Sequence, residues 1–200
     1  MIKLGIIGLS NANGHPYSWS AIFNGYNKDY MKQCPFPVIP KYLYKQNYPE
    51  DFLQNARVTH IWTQDREISE QVAKASEIEN IAETFTDLIG KVDGVLLARD
   101  DSENHKKFVT SFIEAGMPIY IDKPIAVDRV QLDYFKTLEQ YPNQIFSCSV
   151  ETFKERYARL CHKGLLLEED EIYAHQAFLF SEESVGMTGH NPGVDRGWTV

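Results

Sequence analysis

The sequence has only three cysteines, Cys34, Cys148 and Cys161, and their wide spacing gives neither a disulfide framework nor the CxxC pairs of a zinc site. They are expected as buried or free thiols, and no metal site is expected. No apolar run approaches the roughly 18 residues that cross a bilayer. Met1-Ile2-Lys3-Leu4-Gly5 runs straight into a strand instead of a signal peptide, so a cytoplasmic location away from membranes is the expectation. A basic excess is missing too. The formal net charge of -8 argues against binding along a nucleic-acid backbone and favours a small polar metabolite as partner. There is no internal repeat and no low-complexity tract. What remains is the composition of an ordinary globular protein, with enough chain for one full domain plus part of a second.

Ile2 to Gly8 is a short apolar run closed by glycine, after which Trp19, Ile22, Phe23 and Tyr26 recur at helical spacing. His15-Pro16 opens that helix, since proline is well tolerated in a first turn. Asn27 to Asn55 breaks the rhythm with Pro35, Pro37, Pro40 and Pro49 among Tyr30, Phe36, Tyr42, Tyr44 and Tyr48. An excursion this much longer than an ordinary βα connection reads as a functional lid or an interface element. A second strand is expected over Val58 to Thr63 and a third over Asp93 to Ala98, the latter buried on both faces. Asp100 with Glu103 suggests a capping box for a helix carrying Phe108, Val109, Phe112 and Ile113, which Gly116 stops. A strand then ends in Asp122-Lys123-Pro124, Asp128 with Gln131 opens another helix, and Ile145 to Val150 is a fifth strand. This alternation predicts an α/β fold with a doubly wound parallel sheet over residues 1–150. Residues 151–200 change character and are expected to begin, or to be a remnant of, a shortened α+β second domain.

Three turns and one strand end carry the candidate chemistry. The first is Gly8-Leu9-Ser10-Asn11-Ala12-Asn13-Gly14-His15, where a dinucleotide fold needs small residues against a pyrophosphate and free amides at the following helix start. Gly8 and Ser10 fit the first two small positions, but Gly14 arrives one residue later than the GxGxxG spacing. In Trp62-Thr63-Gln64-Asp65-Arg66, Asp65 could reach an adenosine ribose, or Thr63 and Arg66 could accommodate a 2′-phosphate, which leaves NAD and NADP both open. Asp65 reads equally as a helix-capping acid. In the stretch from Ala98, Arg99 and Asp100 to Asn104 and His105, a helix start suits a cofactor, while His105 also reads as a solvated helix residue. At Asp122, Lys123 and Pro124, a carboxylate and an ammonium sit at a strand's carboxyl end, where open α/β sheets bind ligands.

In this order, the glycine turn, Val92-Asp93-Gly94-Val95-Leu96-Leu97-Ala98, Asn104-His105 and Glu114-Ala115-Gly116-Met117-Pro118-Ile119-Tyr120-Ile121-Asp122-Lys123-Pro124 resemble the Gfo/Idh/MocA oxidoreductases over about residues 1–150. The resemblance implies a Rossmann domain binding NAD or NADP, then a sheet domain that holds a sugar, inositol or nucleotide-sugar substrate and supports homo-oligomers. It implies that Lys123, within Asp122-Lys123-Pro124 where the family has Glu-Lys-Pro, orients or polarises the reacting hydroxyl beside the nicotinamide. The family completes its site with a later Asp-and-His motif. Here Gly189-His190 and Asp195 are the substitutes, with His190 the candidate catalytic residue, although their spacing differs from that motif. Residues 151–200 are too few for the usual second domain, so the chain reads as a shortened relative or a fragment. The alternative is a noncatalytic nucleotide-binding or assembly protein that keeps the Rossmann domain, with the proline and tyrosine segment as a partner surface.

Overall fold

The computed structural model describes residues 1–51 and 53–147. Six strands among them run parallel: β1 (Ile2–Ile7), β2 (Ala56–Trp62), β3 (Asn80–Ile81), β4 (Gly94–Leu97), β5 (Ile119–Ile121) and β6 (Ile145–Phe146). They lie in the order β3-β2-β1-β4-β5-β6. The chain winds outward from β1 to one edge and then returns to place β4 on the other side of β1. That reversal makes the β1/β4 boundary the switch point at which such sheets bind ligands.

Helices α1 (His15–Asn24) and α4 (Arg66–Ala75) contribute to the core on one face of the sheet, and α5 (His105–Glu114) and α6 (Arg129–Leu138) to that on the other. Adjacent strand residues point to opposite faces. Thus Ile6 and Leu96 join Tyr17, Ala21 and Val72, while Ile7 and Leu97 join Phe108, Phe112 and Phe135. The four residues of β4 are all buried, as a strand covered on both faces requires.

Local signals explain several helix boundaries. Pro16 lies in the first turn of α1. Asp65 caps α4 by accepting the Glu67 amide at 2.9 Å, and Asp128 caps α6 by accepting the Gln131 amide at 2.8 Å. Gln131 reciprocates one residue further out, its Oε1 accepting the Val127 amide at 2.8 Å. After α5, Gly116 takes a φ of 73°, a left-handed turn that glycine adopts without a Cβ penalty.

The structure departs from the sequence expectations in the Asp100 cap, in β3 and at His105. The Asp100–Glu103 capping box does not form: a 3₁₀ turn at Ser102–Asn104 delays α5, and the Asp100 side chain turns to Ser10 instead. The 27–55 excursion, expected as a lid or interface element, also contributes to the core. Its α2 (Lys28–Met31) and α3 (Val38–Leu43) bury Met31, Ile39 and Leu43 in the same core as Tyr17 and Ala21. β3 had no counterpart in the sequence reading, because two residues are too few to display a period. His105 is not a solvated helix residue but fully buried. The expected fifth strand is seen as Ile145–Phe146. Ser147 is already outside the strand, and residues 148–150, the domain expected over 151–200, and His190 and Asp195 lie outside the described residues. Among the described residues, no helix is long and apolar enough to cross a membrane.

Candidate functional site

The carboxyl ends of β1, β4 and β5 are adjacent, and their loops are stitched together by backbone bonds. The Ala98 amide donates to the Ile7 carbonyl at 2.8 Å, and the Asp122 amide to the Leu97 carbonyl at 3.0 Å. Across β1, the Gly8 amide donates to the Trp62 carbonyl at 3.0 Å. All the candidate residues of the sequence reading that fall within the described chain therefore gather along one edge of the sheet.

Around the first turn, much of the polar inventory serves the loop itself. The Leu9 amide donates to Gln64 Oε1 at 3.1 Å, and Gln64 Nε2 donates back to the Leu9 carbonyl at 2.5 Å. Arg99 Nη1 donates to the same carbonyl at 3.1 Å and to Gln64 Oε1 at 3.0 Å. Arg99 is 8% exposed; its guanidinium lies 4.6 Å from the centroid of the Phe108 ring and forms a two-point bond with Asp101. Burial pushes the Asp101 carboxyl upward, but hydrogen bonds from Arg99 and Asn104 and the Arg99 charge outweigh it and hold the group below its usual range. Ser10 Oγ donates to Asp100 Oδ1 at 2.5 Å and accepts the Asp100 amide at 3.1 Å.

Beyond Leu9, the amides of Ser10, Asn11 and Ala12 have no hydrogen-bond partner among the described residues. Ala12 adopts a φ of 60°, the left-handed conformation of tight turns. Three successive unpartnered amides ahead of a helix start make an environment suited to phosphate oxygens. The late Gly14 has a different reason. A Cβ there would stand 2.5 Å from Ile39 Cδ1 and 2.7 Å from Phe36 Cδ2, so the close approach that demands glycine is made by the α3 region.

At the end of β2, Thr63 is buried; its amide donates to Ser69 Oγ at 2.9 Å and its hydroxyl to the Asp65 carbonyl at 2.5 Å. Asp65 is exposed at the cap of α4. Arg66 pairs with Glu83 and, at 3.4 Å, with Glu70. Asn104 Nδ2 donates to Asp101 Oδ2 at 2.8 Å. His105 sets its two ring nitrogens 2.8 Å from the Arg99 carbonyl and 3.1 Å from the Ile125 carbonyl, so it fastens the β4 loop to the β5 loop.

Asp122 is the best-anchored acid of the edge, at 1% exposure. Its Oδ2 accepts from Asn13 Nδ2 at 2.8 Å and lies 2.5 Å from His15 Nδ1, while its Oδ1 accepts the Lys123 amide at 2.8 Å. The Lys123 ammonium has no hydrogen-bond or ion-pair partner among the described residues. The Lys123–Pro124 peptide is cis, and the Pro124 carbonyl accepts from Ser102 Oγ at 2.8 Å. Gln64 and Ser102 were missed in the sequence reading, as their partners Leu9 and Pro124 are distant in sequence and leave no local pattern.

A dinucleotide fits this edge on two observations. The Ser10 to Ala12 amides supply donors for a pyrophosphate, and Lys123 supplies a cation at the far side of β4.

Comparison with known proteins gives the same picture. Residues 38–148, more than half of the chain, match the model of an oxidoreductase family with an NAD-binding Rossmann fold. No curated protein matches the sequence. Among solved structures, an apo scyllo-inositol dehydrogenase from Lactobacillus casei aligns with a TM-score of 0.51 at 18% identity, over 80% of this chain and 40% of that one. The same enzyme with bound NAD(H) and scyllo-inositol aligns at 17% identity and a TM-score of 0.51, over 93% of this chain and 42% of that one. A UDP-N-acetylglucosamine 3-dehydrogenase from Acidithiobacillus ferrooxidans aligns at 13% identity and a TM-score of 0.51, over 80% and 43%. The chain thus spans about two fifths of the length of the structures it matches.

Proposed function

Because the chain belongs to the Gfo/Idh/MocA family of NAD-binding oxidoreductases, we propose that it binds NAD across the carboxyl ends of β2, β1 and β4 and interconverts a hydroxyl and a carbonyl on a polyhydroxylated metabolite near β5. The observation that carries this reading is the pairing of three unpartnered amides, Ser10 to Ala12, with an unpartnered ammonium, Lys123, on the same edge. The amides hold the pyrophosphate, and Asp65 is the acid available to the adenosine ribose. The bound nicotinamide supplies the hydride acceptor or donor. Lys123 stabilises negative charge that develops on the substrate oxygen, a role a cation performs best where water is scarce. A sugar, inositol or nucleotide-sugar substrate agrees with the acidic, small-molecule character of the chain and with the substrates that scyllo-inositol and UDP-N-acetylglucosamine dehydrogenases are named for.

Calorimetric titration of the chain with NAD tests the reading, and absence of binding overturns it. Given binding, Lys123→Ala should leave NAD affinity nearly intact and abolish turnover.

A second reading, a noncatalytic nucleotide-binding assembly protein, draws on one observation. Tyr30, Tyr42, Tyr44 and Val38 are all exposed on the α2–α3 segment, whose other side is in the core. NAD binding without turnover, and no loss of biological activity in Lys123→Ala, would favour it.

A further inference from the structure

We propose that His15 is the proton-transfer group of this site, oriented by Asp122, an inference that rests on the oxidoreductase reading above.

Asp122 determines which nitrogen of His15 carries the proton. Its two oxygens accept from Asn13 Nδ2 and from the Lys123 amide, groups that can only donate. A carboxyl group receiving donors at both oxygens is matched by the ionised form. The remaining contact, 2.5 Å from Oδ2 to His15 Nδ1, is therefore a hydrogen bond donated by the imidazole. With Nδ1 protonated, the neutral ring carries its lone pair on Nε2. A carboxylate holding an imidazole in one tautomer is the arrangement that prepares histidine for general acid–base chemistry.

The ring is also held by its face. It stacks on Trp19 with centroids 4.7 Å apart and planes 13° from parallel, and Trp19 sets its edge against Tyr120 at 5.2 Å. Tyr120 lies on β5, two residues before Asp122. The imidazole is thus located by the strand end that also carries Lys123.

Nε2 is left for a ligand. The His15 side chain is 34% exposed, and Nε2 has no partner among the described residues. His105 provides the contrast on the same edge: it is fully buried, with both nitrogens against carbonyls, and fits a structural role. His60 lies within β2 against Thr59, away from the carboxyl edge.

The chemistry balances with NAD as the oxidant. In the oxidising direction the substrate O–H bond breaks and its proton passes to His15 Nε2. The O–H electron pair becomes the second bond of the carbonyl as the C–H bond breaks, and that hydrogen leaves with its pair as hydride to NAD. The imidazolium then returns the proton to solvent, and the reducing direction reverses each step. Lys123, the residue after Asp122, stabilises the oxygen while His15 exchanges its proton.

The test is nitrogen-resolved NMR of the His15 ring in the full chain, at a pH where the ring is neutral, assigned with His15→Gln. The expected result is a proton on Nδ1 and a bare Nε2, with that preference lost in Asp122→Asn. Adding NADH as the probe should shift the Nε2 resonance, and His15→Gln should hold NADH within about threefold of the wild-type affinity. A proton on Nε2, or an Nε2 signal indifferent to NADH that binds, overturns the inference. Failure of NADH to bind at all overturns the oxidoreductase reading and the inference with it. The two failures are separable, because the tautomer is read before any ligand is added. If His15→Gln does not fold, assignment by selective labelling keeps the wild-type experiments decisive.

Discussion

Arg99 grips Asp101, two residues along the chain, through two parallel bonds, Nε to Oδ1 at 2.8 Å and Nη2 to Oδ2 at 2.6 Å. The pair is largely shielded from water, and the same guanidinium reaches back to the Leu9 carbonyl. The Asp101 carboxyl is held below its usual range in the folded chain, so its stabilisation is complete above the unfolded value. It is lost as pH falls through the folded one. Asp101→Asn should therefore cost about 1–3 kcal/mol near neutral pH. The gap from wild type should close in acid, as pH falls through the folded value below the ordinary carboxylate range. Denaturant unfolding of both proteins across this range checks the magnitude and the sign.

Gly14→Ala should destabilise the fold by about 1–3 kcal/mol, because the new methyl would press on Ile39 and Phe36 in a filled core. If that pressure is the cause, the same substitution in a Phe36→Ala background should cost less. A double-mutant cycle read by thermal unfolding decides it.

NAD should bind at least about tenfold more tightly than NADP. Arg66, the one base of the Thr63 to Arg66 turn, is engaged by Glu83 and Glu70, and Asp65 and Glu67 flank it. A 2′-phosphate would meet carboxylates there. Calorimetry with both cofactors measures the ratio, and Glu83→Gln with Glu70→Gln should narrow it.

Cys34 should resist thiol reagents. Burial pushes its thiol up, only partly offset by a backbone hydrogen bond from Phe36, so little thiolate is present near neutral pH. Mass spectrometry after alkylation should find Cys34 labelled fast only when denaturant is present. Ready labelling of the native chain would contradict the packing of α2 against α4 and of α3 against α1.

The parts of the fold that were legible in the sequence are those written in short windows. The apolar run of β4, the proline at the start of α1, the glycine after α5 and the acids that cap α4 and α6 each act within four residues of their own position. The site was legible only as a set of candidates. Ser10 meets Asp100 across 90 positions and Asn13 meets Asp122 across 109, and no periodicity carries such pairings. For the same reason His105 read as a cofactor contact or a solvated residue, while its buried bonds to two carbonyls depend on how the β4 and β5 loops meet. The core contribution of the excursion was not legible, because its prolines are visible in sequence and its burial is not: Met31, Ile39 and Leu43 come from two short helices whose buried faces exist only once α1 and α4 are in place.

Asp122 has a consequence for the order in which the molecule comes into being. A ribosome emits Asn13 and His15 early, and the carboxylate that fastens them emerges 107 residues after His15. Until β4 has paired with β1 and β5 with β4, the first turn lacks the partner that sets its asparagine and histidine. A nascent chain stopped anywhere short of residue 122 can hold strands and helices, yet its imidazole has no fixed direction. The site is thus a late product of synthesis, although one of its principal groups is among the first residues made.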